Sequence, residues 1–188
     1  MDLLTRVLQR HSTPSRLLSE PGPDEAQLAR ILEAAVHVPD HGRLSPWRFI
    51  AVRGEQRPRL GNVLARRRIE REPDATPAVV EKDRLRFEHA PLVIVVVARL
   101  TPRHKVPEQE QLLSGGAACF SILLAADALG FGAQWLTGWA AYDPVVAATL
   151  GLSAAEHVIG FIHIGTRTAD VADRDRPAVA LLLSGATL

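Results

Sequence analysis

A single cysteine, Cys119, occurs in the 188 residues, which excludes an internal disulfide and any multi-cysteine metal site. It lies in the apolar stretch Ala117-Ala118-Cys119-Phe120 and so reads as a buried, inert thiol rather than a nucleophile. Excess charge is also lacking. A formal charge of +1 argues against a nucleic-acid or membrane-surface partner, yet leaves room for phosphate-bearing small ligands that need only a few local cations. Long hydrophobic runs are missing too: the longest strongly apolar one, Leu92 to Ala98, is far too short to span a bilayer. Met1-Asp2-Leu3-Leu4-Thr5-Arg6 puts an acid first and has no long apolar core, unlike a secretory signal. A cytoplasmic protein without a membrane partner is the expectation.

What is present is ordinary for a globular chain: 47% hydrophobic and 23% charged residues. The length suits one domain over residues 1–188. Leu3, Leu4, Val7 and Leu8 repeat at helical spacing behind a capping Asp2, and His11-Ser12-Thr13-Pro14-Ser15 ends that helix near Arg10. A second helix follows Pro23, opened by an Asp24/Gln27 capping pair, striped by Leu28, Ile31, Leu32 and Ala35, and closed before Pro39. Trp47 to Val52 reads as a strand. Residues 55–72 read as a helix whose Arg66-Arg67-Arg68 and Arg71 form an exposed basic face, and a charged helix runs on to about Glu88. Leu92 to Val97 predicts a central strand covered on both faces. The uncharged stretch Leu112 to Ala126 predicts a helix buried almost all round, with Gly115-Gly116 open to close approach by another backbone or a flat ligand. Ala133 to Thr137 and His157 to Ile164 read as strands, separated by a short helix that starts at Asp143-Pro144. Beyond Gly165 a polar connector leads to the apolar run Ala178 to Leu183, a strand that either folds back or crosses to a partner. The mixed order points to an α+β fold.

Three clusters carry chemistry. Arg10-His11-Ser12 at a helix end can hold a phosphate through charge-assisted bonds, or Arg10 can simply complement the helix C-terminus. His37, Asp40 and His41 do not make a metal site, because Pro39 prevents one helical face from presenting them and no further ligand follows at diagnostic spacing. They can bond a ligand's carbonyls or form a capped turn. Arg103-His104-Lys105-Val106-Pro107 precedes the uncharged helix. No nucleophile elbow, Walker loop or Gly-x-Gly-x-x-Gly pattern is present.

Taken in order, these segments resemble the nitroreductase family, and within it the short YdjA-like branch. The resemblance rests on Arg10-His11-Ser12, Ala35 to His41 followed by Ser45-Pro46-Trp47, His104-Lys105-Val106-Pro107 with Glu110 and Gly115-Gly116-Ala117, Gly130-Phe131-Gly132 with Trp135, and Gly160-Phe161 with Gly165-Thr166. It implies a mostly antiparallel sheet flanked by helices, a homodimer with the C-terminal strand exchanged, FMN at the dimer interface, and NAD(P)H as hydride donor to a nitroaromatic, quinone or similar small electrophilic acceptor. Dehalogenation, enone reduction, or flavin binding without turnover are the alternatives it leaves. By position, Arg10, His11 and Ser12 would hold the FMN phosphate, His37 and His41 would touch the flavin, and Trp135, Leu136 and Thr137 would add contacts. No side chain is expected to be an obligatory catalyst. Ser45 and Leu136 depart from the family's polar residues, Arg16 falls in a lengthened first loop, and Arg174 and Arg176 are read as a solvated tail outside the site.

Overall fold

The computed structural model describes residues 2–185. Its core is built on β3 (Leu92–Arg99). Leu92, Ile94 and Val96 point to one side of the sheet and Val93, Val95 and Val97 to the other, and each side meets its own apolar cluster. Covering both faces is what demands an unbroken apolar strand. β2 (Trp47–Arg53) and β5 (Glu156–Arg167) flank it antiparallel, aligning Ile50, Val95 and Phe161 across the sheet. β4 (Gly132–Leu136) pairs on the far edge of β5, and β1 (Leu18–Ser19) pairs with Thr166 and Arg167, beyond the residues of β5 that meet β3. All of these pairings are antiparallel. Two residues are too few to show any periodicity, so β1 is visible only in three dimensions.

On one face lie α2 (Glu25–Val36) and α5 (Glu108–Ala128). The Asp24–Gln27 capping box forms, and α2 stops at His37 ahead of Pro39. Leu28, Ile31 and Ala35 pack with Ile122, Ile162 and Ile164, each large apolar side chain contributing about 1.5–3 kcal/mol. On the other face α3 (Gln56–Arg71) places Leu60 and Leu64 beside Phe87 and Phe161. α1 (Leu3–Gln9), α4 (Pro77–Arg84) and α6 (Pro144–Thr149) complete the helices. A bulge in β5 leaves Ile159 out of register between Val158 and Gly160. The extra residue aims its side chain at α5, where a Cβ on Gly115 would lie 2.2 Å from Ile159 Cδ1.

α5 differs from the expectation of a helix buried all round. Gln111, Ser114, Ala118, Cys119, Ile122 and Ala126 are buried, but Leu113 is 65% exposed and Phe120 41%. One stripe of the helix is therefore left largely uncovered among the described residues, and Gly116 on that stripe faces open space. By length and composition α5 would pass for a membrane span, but its inner side is a core surface held by polar bonds. Gln111 donates to Thr101 and Val106 carbonyls at 3.1 Å, while Ser114 links Trp47 Nε1 (3.1 Å) to the Pro39 carbonyl (2.7 Å). Burial pushes the Cys119 thiol up to about 12.

The basic run of α3 is likewise not a free face. Arg67 Nε (2.9 Å) and Arg71 Nη1 (3.1 Å) donate to the buried carboxylate of Asp143, which also caps α6 through the Val145 and Val146 amides. Arg68 Nε donates to Asp83 at 2.6 Å, and the guanidinium carbons of Arg68 and Arg71 lie 5.0 and 5.1 Å from the Trp139 ring centre. Of the four arginines, Arg66 is the one without such a partner among the described residues. The cations tie residues 139–146 to α3 because a buried carboxylate must be paired.

The C-terminal run also departs from expectation. Ala178 to Leu183 is not a strand; Val179–Leu181 is a single 3-10 turn, and Leu181 is 83% exposed. Within its own chain the segment finds no apolar surface to cover it.

Two outcomes test this fold. A Cβ on Gly61 would lie 2.0 Å from the Arg84 carbonyl oxygen, so Gly61→Ala forces α3 and α4 apart and is expected to cost about 2–4 kcal/mol in urea unfolding. Arg48, bidentate at 2.6 and 3.1 Å, and then the Ser153 amide hold the Glu156 carboxylate down to about 2 from 4.5. A depressed carboxylate stabilises the fold above its unfolded value, and that contribution is lost as pH falls from about 4.5 toward about 2. The urea midpoint of Glu156→Gln should therefore fall less steeply than wild type through that window.

Candidate functional site

The site starts where α1 meets α5. Arg6 Nη1 donates to the Asp127 carboxylate and carbonyl, both at 2.9 Å, and Arg167 Nη2 takes the other carboxylate oxygen at 2.6 Å. These bonds fix α1 on the last turns of α5. Arg10 is the C-cap of α1, with its guanidinium 5.8 Å from the Phe120 ring centre. His11 follows with Nδ1 at 3.1 Å from the Gln9 carbonyl, then a half-buried Ser12. The next residues are pinned against β4: the Thr13 amide donates to the Ala133 carbonyl at 3.0 Å and the Ser15 amide to Gln134 Oε1 at 2.6 Å.

The C-terminal tail returns to this place. Arg176 Nη2 lies 2.7 Å from Asp173 Oδ1 and 3.4 Å from the Arg10 carbonyl. Arg10 holds its proton less firmly than a free arginine, through burial and then through the charges of Arg176 and Arg174. The exposed tail thus brings Arg176 against the Arg10 backbone. More than 160 residues separate them in sequence, and no spacing pattern announces the contact. Arg16 is exposed in the Ser15–Leu17 turn. Guanidinium groups crowded at one helix end, with an imidazole and a hydroxyl, suit a phosphate dianion, which would relieve their mutual repulsion.

From this cluster β4 leads away to Trp135, Leu136 and Thr137. Trp135 packs on Gly160, donates Nε1 to the Ile159 carbonyl at 3.4 Å, and stays 37% exposed. Leu136 is paired with Phe161, and Thr137 is half-buried. Gly138 follows at φ 67° and ψ −172°, a conformation open essentially to glycine alone. Arg10, His11, Ser12, Trp135, Leu136 and Thr137 therefore lie along one strip.

His37 and His41 do not. His37 is the exposed C-cap of α2. His41 sits in the His41–Arg43 turn with Nδ1 2.7 Å from Glu110 Oε2, while Asp40 accepts from the Leu44 and Ser45 amides. Glu110 precedes Phe120 by ten helical residues, so His41 and Arg10 are roughly 15 Å apart along α5. Among the described residues no group of three or more His, Cys, Asp or Glu side chains is placed to hold a metal.

Known proteins share this architecture. The chain is 39% identical over 166 residues to "Putative NAD(P)H nitroreductase YdjA" of Escherichia coli (strain K12), covering 88% of each sequence. A Haemophilus influenzae protein, "Putative NAD(P)H nitroreductase", is 36% identical over 167 residues, 88% of this chain and 89% of that one. Among solved structures, the nitroreductase-like family protein from Bacillus cereus superposes with a TM-score of 0.81 at 22% identity, over 98% of this chain and 95% of that one. A nitroreductase with bound FMN from Bacteroides fragilis gives 0.74 at 20% identity over the full length of both. Residues 7–166 match the model of the nitroreductase family, and the chain belongs to that family.

Proposed function

We propose that the protein is an FMN-dependent oxidoreductase that takes a hydride from NAD(P)H and delivers electrons to nitroaromatics, quinones or similar small electrophiles. The observation that carries this is the strip from the Arg10–Arg176 cluster to Thr137, an anion-suited end joined to an open, partly aromatic stretch. Its relatives' names speak of NAD(P)H nitroreductases, and FMN is bound in the Bacteroides fragilis neighbour. Arg10, His11 and Ser12, with Arg174 and Arg176 added, would hold the phosphate; Trp135, Leu136 and Thr137 would lie along the flavin. Bound FMN supplies the two-electron relay between nicotinamide and acceptor. The protein binds, orients and sets the local field, and no side chain is needed as an obligatory acid or base.

The complete site needs a second copy. On the unpartnered stripe of α5, Gly116 lies midway between Glu110 and Phe120, and its missing side chain permits close approach of another helix. Two α5 helices crossing antiparallel near Gly116 would carry the partner's His37–His41 loop toward this chain's Arg10. That brings both histidines to the flavin, as their family positions imply. The outer edge of β2 is unpaired, and a groove of about 940 Å³ beside it is lined by Ile50, Leu60, Val63, Ile69 and Leu150. It is suited to the exposed Ala178–Leu183 segment of the partner.

The purified protein should be yellow, or gain flavin absorbance with FMN, and bleach anaerobically with NADH or NADPH. Arg10→Ala and Arg176→Ala should each weaken FMN binding about 10- to 100-fold, the scale of a lost charge-assisted bond, while riboflavin, which lacks the phosphate, binds almost as before. Equal losses for both ligands would sink the phosphate assignment. By sedimentation the protein should be a dimer and Leu113→Glu a monomer that loses FMN; a wild-type monomer holding FMN tightly contradicts the shared site.

A further inference from the structure

Arg86, between α4 and β3, is a cation without a counter-ion. Its Nη1 is buried and has no hydrogen-bond partner among the described residues. The neighbouring carboxylate that attracts it, Asp83, is already shared by Arg68 Nε (2.6 Å) and Trp139 Nε1 (3.3 Å). Arg68 adds repulsion, and His163 beside it is wholly buried with both ring nitrogens unpartnered. Burial, then the charges of Arg86 and His89, keep that imidazole neutral down to about 3. A buried cation paired so poorly is costly, and an apolar side chain of the same volume is commonly as stable or more so.

The guanidinium lies against the turn that follows β4. A Cβ on Gly138 would stand 3.0 and 3.2 Å from the two terminal nitrogens of Arg86, so no side chain separates the cation from the backbone there. Gly138 is exposed on its other side. The turn is held in place by Trp139, which packs against the guanidinium groups of Arg68 and Arg71 and is bonded to Asp83. Gly138 directly follows Thr137, the last of the residues assigned to the flavin above.

We propose that Arg86 is an internal counter-charge for the flavin, acting as a positioning residue through the bare Gly138 turn. The inference rests on the functional reading above. A hydride taken from a nicotinamide, with both electrons of its C4–H bond, would leave NAD(P)⁺ behind and bound FMN with one more negative charge. A fixed cation behind the turn favours that charged state and raises the flavin potential. Unpaired until then, Arg86 is retained at a cost in stability.

The test compares Arg86→Met and Arg86→Lys with wild type by spectroelectrochemistry of the FMN-loaded protein and by thermal melting of the FMN-free protein. Arg86→Met should lose at least tenfold of its preference for reduced over oxidised FMN, about 30 mV in a two-electron couple, and should melt no lower than wild type without FMN. Arg86→Lys should recover most of the potential. An unchanged potential in Arg86→Met, a lysine variant as low as the methionine one, or an FMN-free Arg86→Met that melts well below wild type overturns the proposal, the last by marking the cation as structural. If wild type takes up no FMN, the functional reading falls and this role with it; if FMN binds and bleaches normally, only the role of Arg86 is at stake.

Discussion

The strand β5 has to satisfy partners along both of its edges, and the rest of the molecule is arranged around that demand. Eight of its first nine residues pair with β3, Phe161 to Gly165 pair on the other edge with β4, and Thr166 and Arg167 pair with β1. Small residues fall where the neighbours press closest: Gly160 under Trp135, and Gly165 where a Cβ would lie 2.6 Å from Pro91 and 2.9 Å from the Ser19 carbonyl. Because β4 and β1 both hang from one strand, the loop that joins α1 to β1 runs beside β4, with Thr13 bonded to Ala133 and Ser15 to Gln134, although more than a hundred residues separate them.

α5 provides the second axis. It works as a ruler on which segments from elsewhere are hung: the end of α2 through Ala34 on Ser121, Pro39 on Ser114, His41 on Glu110. Its outer side is left largely apolar and exposed, with Leu113 65% and Phe120 41% exposed, and the histidines and the arginine cluster hang near its opposite ends.

Most of the framework was legible in the residues. The apolar run of β3, the capping box of α2, the Asp143–Pro144 start of α6 and the α+β class all follow from local patterns, and they stand as read. The failures share one cause: they depend on contacts distant in sequence. Hydropathy marks α5 as buried because it cannot tell a core face from an apolar face left exposed. Charge marked the α3 arginines as solvated because Asp83 and Asp143 lie far along the chain. Arg176 meets the Arg10 carbonyl only through the fold, and Arg86 carries no local pattern at all. The composition of 178–183 suits a strand, but a strand needs an edge to pair with, and among the described residues the segment pairs with none.

The burial of Cys119 has a consequence for durability. Oxidoreductase chemistry in air exposes a protein to peroxide, and sulfur is an early casualty among side chains. Here the one thiol is locked in the inner side of α5, fully protonated and out of solvent, and the sequence holds one methionine besides. The helix that frames the site therefore offers almost nothing for stray oxidant to attack.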